Sequence, residues 1–216
     1  SRNLVINNPV NLVPNGQFAT GDMSDWYPVG VTPTVLTRAA SGVPANAIGD
    51  YVARLAGSGS TIALYSHWGA ATSTAGVRVT PGEEYFLSVD LARSAAIGGS
   101  AIQLRPYYVL ADGTLTAPTL TIPIASVLTT WTKFTYSTVA PANAVKLQWY
   151  LGWTGATSGN LYVADAKMLR KSDGTVISDD TIDTRHLKVG SITAEKASFS
   201  QRGLTVDGME FQHNTP

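Results

Sequence analysis

Residues 145–153 read VKLQWYLGW, and residues 101–110 read AIQLRPYYVL. In the first stretch Val145, Leu147, Trp149 and Leu151 alternate with Lys146, Gln148 and Tyr150. In the second, Ile102, Leu104 and Tyr108 are set against Gln103, Arg105 and Tyr107. Successive side chains of a strand point to opposite faces, so each stretch has an apolar face backed by a mixed polar and aromatic one. An ordinary solvated face favours Lys, Glu and Thr. Gln, Arg and Tyr together offer hydrogen bonds beside a flat apolar surface, which is what a sugar ring takes up. The same alternation also fits a merely amphipathic sheet surface, or one that packs on a neighbouring subunit.

Further strand-like runs lie at 85–92 (YFLSVDLA) and 131–139 (WTKFTYSTV). Turn chemistry separates the runs at Pro81-Gly82, Gly98-Gly99, Asp112-Gly113 and Pro141-Ala142-Asn143. Asp112-Gly113 is a strong hairpin signal, because glycine tolerates the positive φ of a tight turn. No dozen-residue window carries a clean helical stripe. Short strands with turn punctuation and no helices between them predict an all-β sandwich.

Composition narrows the function classes. Charged residues make up 14% of the 216-residue chain, well under the usual ~25%, and 15 basic residues balance 15 acidic ones. Nothing in that balance points to nucleic acid. There is no cysteine, which removes disulfides, thiolate catalysis and cysteine-ligated zinc, and favours assembly in a reducing cytoplasm. No apolar run approaches the ~20 residues of a membrane span, so no membrane insertion is expected. The chain opens at Ser1-Arg2-Asn3 without methionine, which reads as a piece of something longer.

All five tryptophans and all nine tyrosines precede residue 171, and only Phe199 and Phe211 are aromatic beyond it. That shift places a boundary near Lys171-Ser172. The expected organisation is a linker at 1–10, a sandwich over 11–171 and an extended segment over 172–216. A second Asp-Gly at 173–174 is a candidate turn out of the last strand. In the extended segment Ile177, Ile182, Leu187, Val189 and Ile192 are spaced too widely for a private core. Such a segment is disordered, packs on the sandwich or shares a core with other copies. Thr193 is a candidate N-cap for a short helix, with Glu195 in its first turn.

The stretch NLVPNGQFATGDMSDW (11–26) resembles the opening of the jelly-roll carbohydrate-binding modules attached to many glycoside hydrolases. YVARL (51–55), VTPGEEYFLSVDLARS (79–94), TTWTKFTYSTVAPANA (129–144) and GNLYVADAKMLR (159–170) resemble later landmarks of that family, in order. The resemblance implies a jelly-roll β-sandwich, with Trp26 and Trp131 as structural rings that plug it. It also implies a structural calcium bound near Gln17 and by Asp165. The family commonly has a glutamate after the phenylalanine of Asn-Gly-x-Phe, however, and Ala19 stands there. Calcium needs about six to eight oxygen ligands, so losing one leaves occupancy of the site open.

IDTRHLKVGSITAEKA (182–197) resembles phrases in the host-specificity and central-fibre proteins of bacteriophage tails. That resemblance implies a tail-fibre or host-attachment component in the virion, assembled in the host cytoplasm. Its partners would be itself as a homotrimer, other virion tail proteins and a bacterial surface saccharide. Two alternatives stand beside it: a carbohydrate-binding module of a polysaccharide-degrading enzyme, and a purely structural virion domain.

Candidate saccharide contacts are Gln103, Arg105, Tyr107, Gln148 and Tyr150 on the mixed faces, Trp68 in the loop SHWGAATS, and Trp153 at a strand end. Trp149 falls with the apolar set and reads as core. Catalysis is not expected. The carboxylates before residue 171 lie mostly at turns and do not form the facing pair that glycoside hydrolysis needs. His67 is the sole histidine of the sandwich region, which leaves no nucleophile–base motif or metal-ligand cluster.

Overall fold

The computed structural model describes residues 10–67 and 75–171 in full, and the backbone of residues 205–206 and 209–210. The chain separates into two units, Ser1–Gly174 and Thr175–Pro216. The first contains β1 (Trp26–Val29), β2 (Thr34–Thr37), β3 (Tyr51–Ala56), β4 (Ser60–Ser66), β5 (Val77–Arg78) and β6 (Glu84–Arg93). It continues with β7 (Ala101–Leu110), β8 (Leu115–Thr116), β9 (Leu120–Pro123), β10 (Thr132–Val139), β11 (Ala144–Ala156) and β12 (Asn160–Lys171). A single 3-10 turn at Ile124–Ser126 is the one helical element among the described residues. No helix among them is long and apolar enough to cross a membrane.

The strands form two antiparallel sheets. One follows the order β1-β4-β11-β7-β8, with β5 also paired to β11 and β9 to β7; the other runs β10-β6-β12-β3-β2. The chain crosses between sheets at β1 to β2, β3 to β4, β5 to β6, β6 to β7, β9 to β10, β10 to β11 and β11 to β12, so the long central strands pair with partners distant in sequence. The result is a jelly-roll β-sandwich, one of the ways an all-β chain limits exposed edges.

The inner faces are what the alternation predicts. Ile102, Leu104 and Tyr108 of β7, and Leu147, Trp149 and Leu151 of β11, are fully or almost fully buried. They meet Tyr85, Leu87, Val89 and Leu91 of β6 and Leu161, Val163 and Met168 of β12. Trp26 closes the core: its ring stacks on Phe18 at 5.4 Å and meets Trp149 edge-on at 5.3 Å. Its indole Nε1 donates to the Asn15 carbonyl at 3.0 Å.

The segment before β1 is laced to β12. Asn11 Oδ1 accepts from the amides of Val13 and Met168, and its Nδ2 donates to the Ala166 carbonyl. The Ala166 amide donates to the Gly16 carbonyl at 2.9 Å. A side chain at residue 16 would run into the Ala166 carbonyl, which is why glycine stands there.

Two placements outside the candidate saccharide contacts differ from the sequence reading. Val145 is 41% exposed, because the β11–β7 register shifts between Ala144 and Lys146 and turns it outward. Trp131 does not plug the sandwich. It packs outside the five-stranded sheet with Val52, Ala92, Tyr162 and Ala164, and its Nε1 donates to the Pro44 carbonyl. The loop between β2 and β3 supplies that cover, so the ring seals a small second cluster.

In the second unit the described backbone pairs β13 (Thr205–Val206) with β14 (Met209–Glu210) antiparallel. The turn at 173–174, the helix start at Thr193 and the phrase at 182–197 lie outside the described residues.

Candidate functional site: the tyrosine face

The outer face of the seven-stranded sheet carries a row of aromatic residues set by strand register. Tyr27 of β1 lies opposite Tyr65 of β4, Tyr65 opposite Tyr150 of β11, and Tyr150 opposite Arg105 of β7. Tyr107 joins the row from one step along β7, opposite Gln148, and Gln103 lies opposite Gly152. Four adjacent strands at ~4.8 Å spacing give the row a span of about 14 Å.

The rings touch in sequence. Tyr27 and Tyr65 have centroids 6.4 Å apart, Tyr65 and Tyr107 5.7 Å, Tyr65 and Tyr150 4.8 Å, and Tyr107 and Tyr150 5.0 Å. Most meet edge to face or tilted, the geometry the ring quadrupole prefers. The result is a ridged aromatic floor. Tyr150 is only 6% exposed and forms its base, whereas Tyr65 and Tyr107 are half-buried and Tyr27 is exposed. The Tyr150 ring lies back over Gly152, where a β-carbon would collide with its hydroxyl. Glycine at 152 therefore permits the floor to close.

Arg105 completes the arrangement. Its guanidinium carbon sits 5.4 Å from the Tyr150 ring centroid, its Nη2 donates to Gln103 Oε1, and its Nη1 donates weakly to the Tyr107 hydroxyl at 3.4 Å. Aromatic stacking and two side-chain acceptors thus fix the plane of the cation. Burial is the chief cause that pushes the Tyr65 phenol up to about 12, and the neighbouring Tyr107 and Tyr150 add to it. Burial likewise raises the Tyr150 phenol, so these hydroxyls stay protonated and able to donate at neutral pH.

Gln103, Arg105, Tyr107 and Tyr150 are thus brought together on one surface. Gln148 is on the same face by parity but fully buried, with its Nε2 reaching the Ser66 carbonyl at 3.5 Å. Trp153 is a correction: it is fully buried on the core face. Strand β11 runs on to Ala156, so residue 153 is not a strand end but another member of the 147-149-151 inner series. A ring without exposed surface offers nothing for a sugar to stack on. Trp68 lies outside the described residues.

Tyr27 and Tyr65 were missed by the sequence reading. Their signal was the alternation of Ile62 and Leu64 against Ala63 and Tyr65 in STIALYS (60–66), a run too short and too threonine- and serine-flanked to stand out.

The position to which the calcium resemblance points is on the other sheet. Asp165 is the extra residue of a bulge in β12, between Ala164 and Lys167, with φ of 47° and 1% exposure. Gln17 Nε2 donates to its Oδ1 at 2.9 Å. Its Oδ2 receives Lys167 Nζ at 2.8 Å and Lys133 Nζ at 3.3 Å, and Lys133 also reaches Asp90 Oδ2 at 3.1 Å. Burial raises the Asp165 carboxyl, but the Gln17 hydrogen bond and the two lysines outweigh it and hold it below the ordinary value. At Asp90 burial prevails over Lys133 and the carboxyl is raised. Both oxygens of Asp165 are taken by donors, and Gln17 turns a donor toward it. That set does not match calcium, which needs about six to eight oxygens. Among the described residues no three His, Cys, Asp or Glu side chains come together to hold a metal.

No protein-family model matches the chain, and no curated protein matches it. Solved structures do. A family 16 carbohydrate-binding module-2 is 21% identical with a TM-score of 0.54, over 74% of this chain and 99% of that one. A module described as TmCBM61 in complex with β-1,4-galactotriose is 13% identical with a TM-score of 0.50, over 75% and 99%. The enzymatically active domain of tailspike protein 4 of bacteriophage CBA120 is 15% identical with a TM-score of 0.54, over 75% of this chain but only 22% of that one. At these identities the likeness is one of fold. The first unit has the jelly-roll fold of carbohydrate-binding modules.

Proposed function

We propose that this chain binds a saccharide, without catalysis, on the outer face of its seven-stranded sheet. The observation that carries the reading is the row of Tyr27, Tyr65, Tyr150 and Tyr107 with Arg105 and Gln103 set among them. Partly exposed rings next to fixed hydrogen-bonding groups serve the apolar faces and hydroxyls of a sugar together. A fold shared with modules solved on galactotriose supports the reading without naming the sugar.

The carrier we favour is a bacteriophage tail-fibre or host-attachment protein in the virion. It is supported by the wording of 182–197 and by a tailspike domain of similar fold. In that setting the chain is a homotrimer with other tail proteins as partners, and several copies convert weak single-site binding into avidity. The accessory module of a polysaccharide-degrading enzyme is the second reading, supported equally by the likeness to carbohydrate-binding modules.

A glycan array probed with the intact chain, followed by calorimetric titration, tests the binding. Saccharides retained by the parent and lost by Tyr65→Ala are expected, and retention of none contradicts it. Light scattering separates the carriers: about three times the 22.8 kDa chain mass supports the fibre, and a monomer favours the accessory module.

A further inference from the structure

Carboxylates, rather than net charge, are divided unequally between the two sheets. The strands of the seven-stranded sheet contain Arg78, Arg105 and Lys146 and no aspartate or glutamate at all. The strand carboxylates of the five-stranded sheet, Glu84, Asp90 and Asp165, are each held in an ion pair. Arg105 enters none of the ion pairs among the described residues. The tyrosine face thus holds the Arg105 cation with no carboxylate in the strands around it.

The hydrogen-bonding sense at Arg105 is equally one-sided. A guanidinium has five N–H donors and no acceptor. Its Nη2 occupies the Gln103 carbonyl oxygen, so Gln103 turns its amide N–H groups to a ligand. The Tyr107 hydroxyl accepts weakly from Nη1 and also hydrogen-bonds with Tyr65. The polar groups here therefore present donors to a ligand. A neutral sugar hydroxyl can accept from such donors, but an ionised carboxylate or phosphate oxygen accepts from them in stronger, charge-assisted bonds. Stacking on Tyr150 holds the guanidinium plane ready for a two-pronged contact. Arg78 and Lys146 face each other across β5 and β11, on the same side of the sheet by alternation. They lie roughly 13 Å along the strands from Arg105.

We infer that the saccharide recognised here is acidic, a glycan bearing carboxylate or phosphate groups, with Arg105 as its anchor. This rests on the saccharide-binding reading of the same face. The test is calorimetric titration of the full chain with a polyuronate, the same polymer with its carboxyls reduced to alcohols, and a phosphodiester-linked glycan. The parent is expected to bind at least one charged polymer about tenfold or more tightly than the reduced one. Added salt weakens that binding. Arg105→Gln removes the preference but keeps residual binding to the reduced polymer, and an unchanged melting temperature shows that it folds. Preference for the polyuronate assigns carboxylate, and preference for the phosphodiester glycan assigns phosphate. Equal or tighter binding of the reduced polymer overturns the acidic preference while leaving saccharide binding intact. Binding to no saccharide, charged or neutral, on the array and in titration sinks both.

The Asp165 cluster carries a second inference independently. We propose that the ammonium groups of Lys133 and Lys167 supply the positive charge that a calcium ion would bring to this position. Lys133 spans Asp90 and Asp165, joining β10 to β6 and to the bulge of β12. A dication placed there would meet two fixed ammonium groups at close range. Melting curves of the full chain in calcium and in a chelator are expected to agree within about 1 °C. Lys133→Ala combined with Lys167→Ala should melt lower and gain a calcium response. A rise of about 5 °C or more when calcium is added to the parent overturns the assignment.

Discussion

The two outer faces of the sandwich solve the same problem in opposite ways. On the five-stranded sheet, polar groups are paired off: Asp90 and Asp165 share Lys133, Lys167 caps the second, and Trp131 with the β2–β3 loop covers the apolar remainder. On the seven-stranded sheet no described segment covers the corresponding surface. Its rings pack on one another, and its one central cation rests on a ring rather than on a carboxylate. A face whose carboxylates are already held by lysines offers little to an incoming ligand. A face on which Arg105 is oriented and meets no carboxylate among the described residues has both shape and a deficit for a ligand to fill.

That contrast breaks first if Trp153 contributes to the surface. Trp153→Ala should lower stability by about 3–5 kcal/mol through a core cavity, read from the denaturant midpoint. Saccharide affinity at a temperature where the variant is folded should stay near parent. Next in size is Asp165→Asn. It leaves Lys133 and Lys167 short of a counter-charge in a site their partly exposed side chains can rehydrate, so about 2–3 kcal/mol is expected, again with binding unchanged.

Gly152→Val reverses the pattern. The valine displaces the Tyr150 ring and with it the floor beneath Arg105, so binding should fall about tenfold or more for a stability loss of about 1–3 kcal/mol. The smallest effect concerns pH. With its phenol at about 12 when folded, against about 10 for a free tyrosine, Tyr65 lends stability that is complete below pH ~10. That stability is lost as pH rises toward 12. Tyr65→Phe should flatten this part of the alkaline unfolding profile, leaving the share due to Tyr108, whose burial also raises it to about 12.

How much of this could be read from sequence follows from the length and parity of each run. In β7 and the centre of β11, long alternating runs placed Leu104, Tyr108, Leu147 and Trp149 inside and Arg105, Tyr107 and Tyr150 outside. Parity also held the answer for Trp153, which was obscured by ending the strand three residues early. Val145 went the other way, because one bulge reverses every assignment beyond it. Tyr27 and Tyr65 were hidden for a different reason. They belong to strands of four and seven residues, β1 paired to β4 and β4 to β11, all distant in sequence, so no local pattern announces that their rings line up. The lysine bridge at Asp165 was invisible too, since it joins residues 90, 133, 165 and 167 only once β12 bulges.

The central claim is that the open tyrosine face takes a saccharide. Its most direct test is calorimetric titration of the full chain against a glycan selected on the array, with parent and the Tyr65→Ala, Tyr107→Ala double variant compared at equal foldedness. Measurable binding by the parent that falls about tenfold or more in the variant is the expected result, at about 1 kcal/mol per ring. Parent and variant binding with equal affinity would contradict the account.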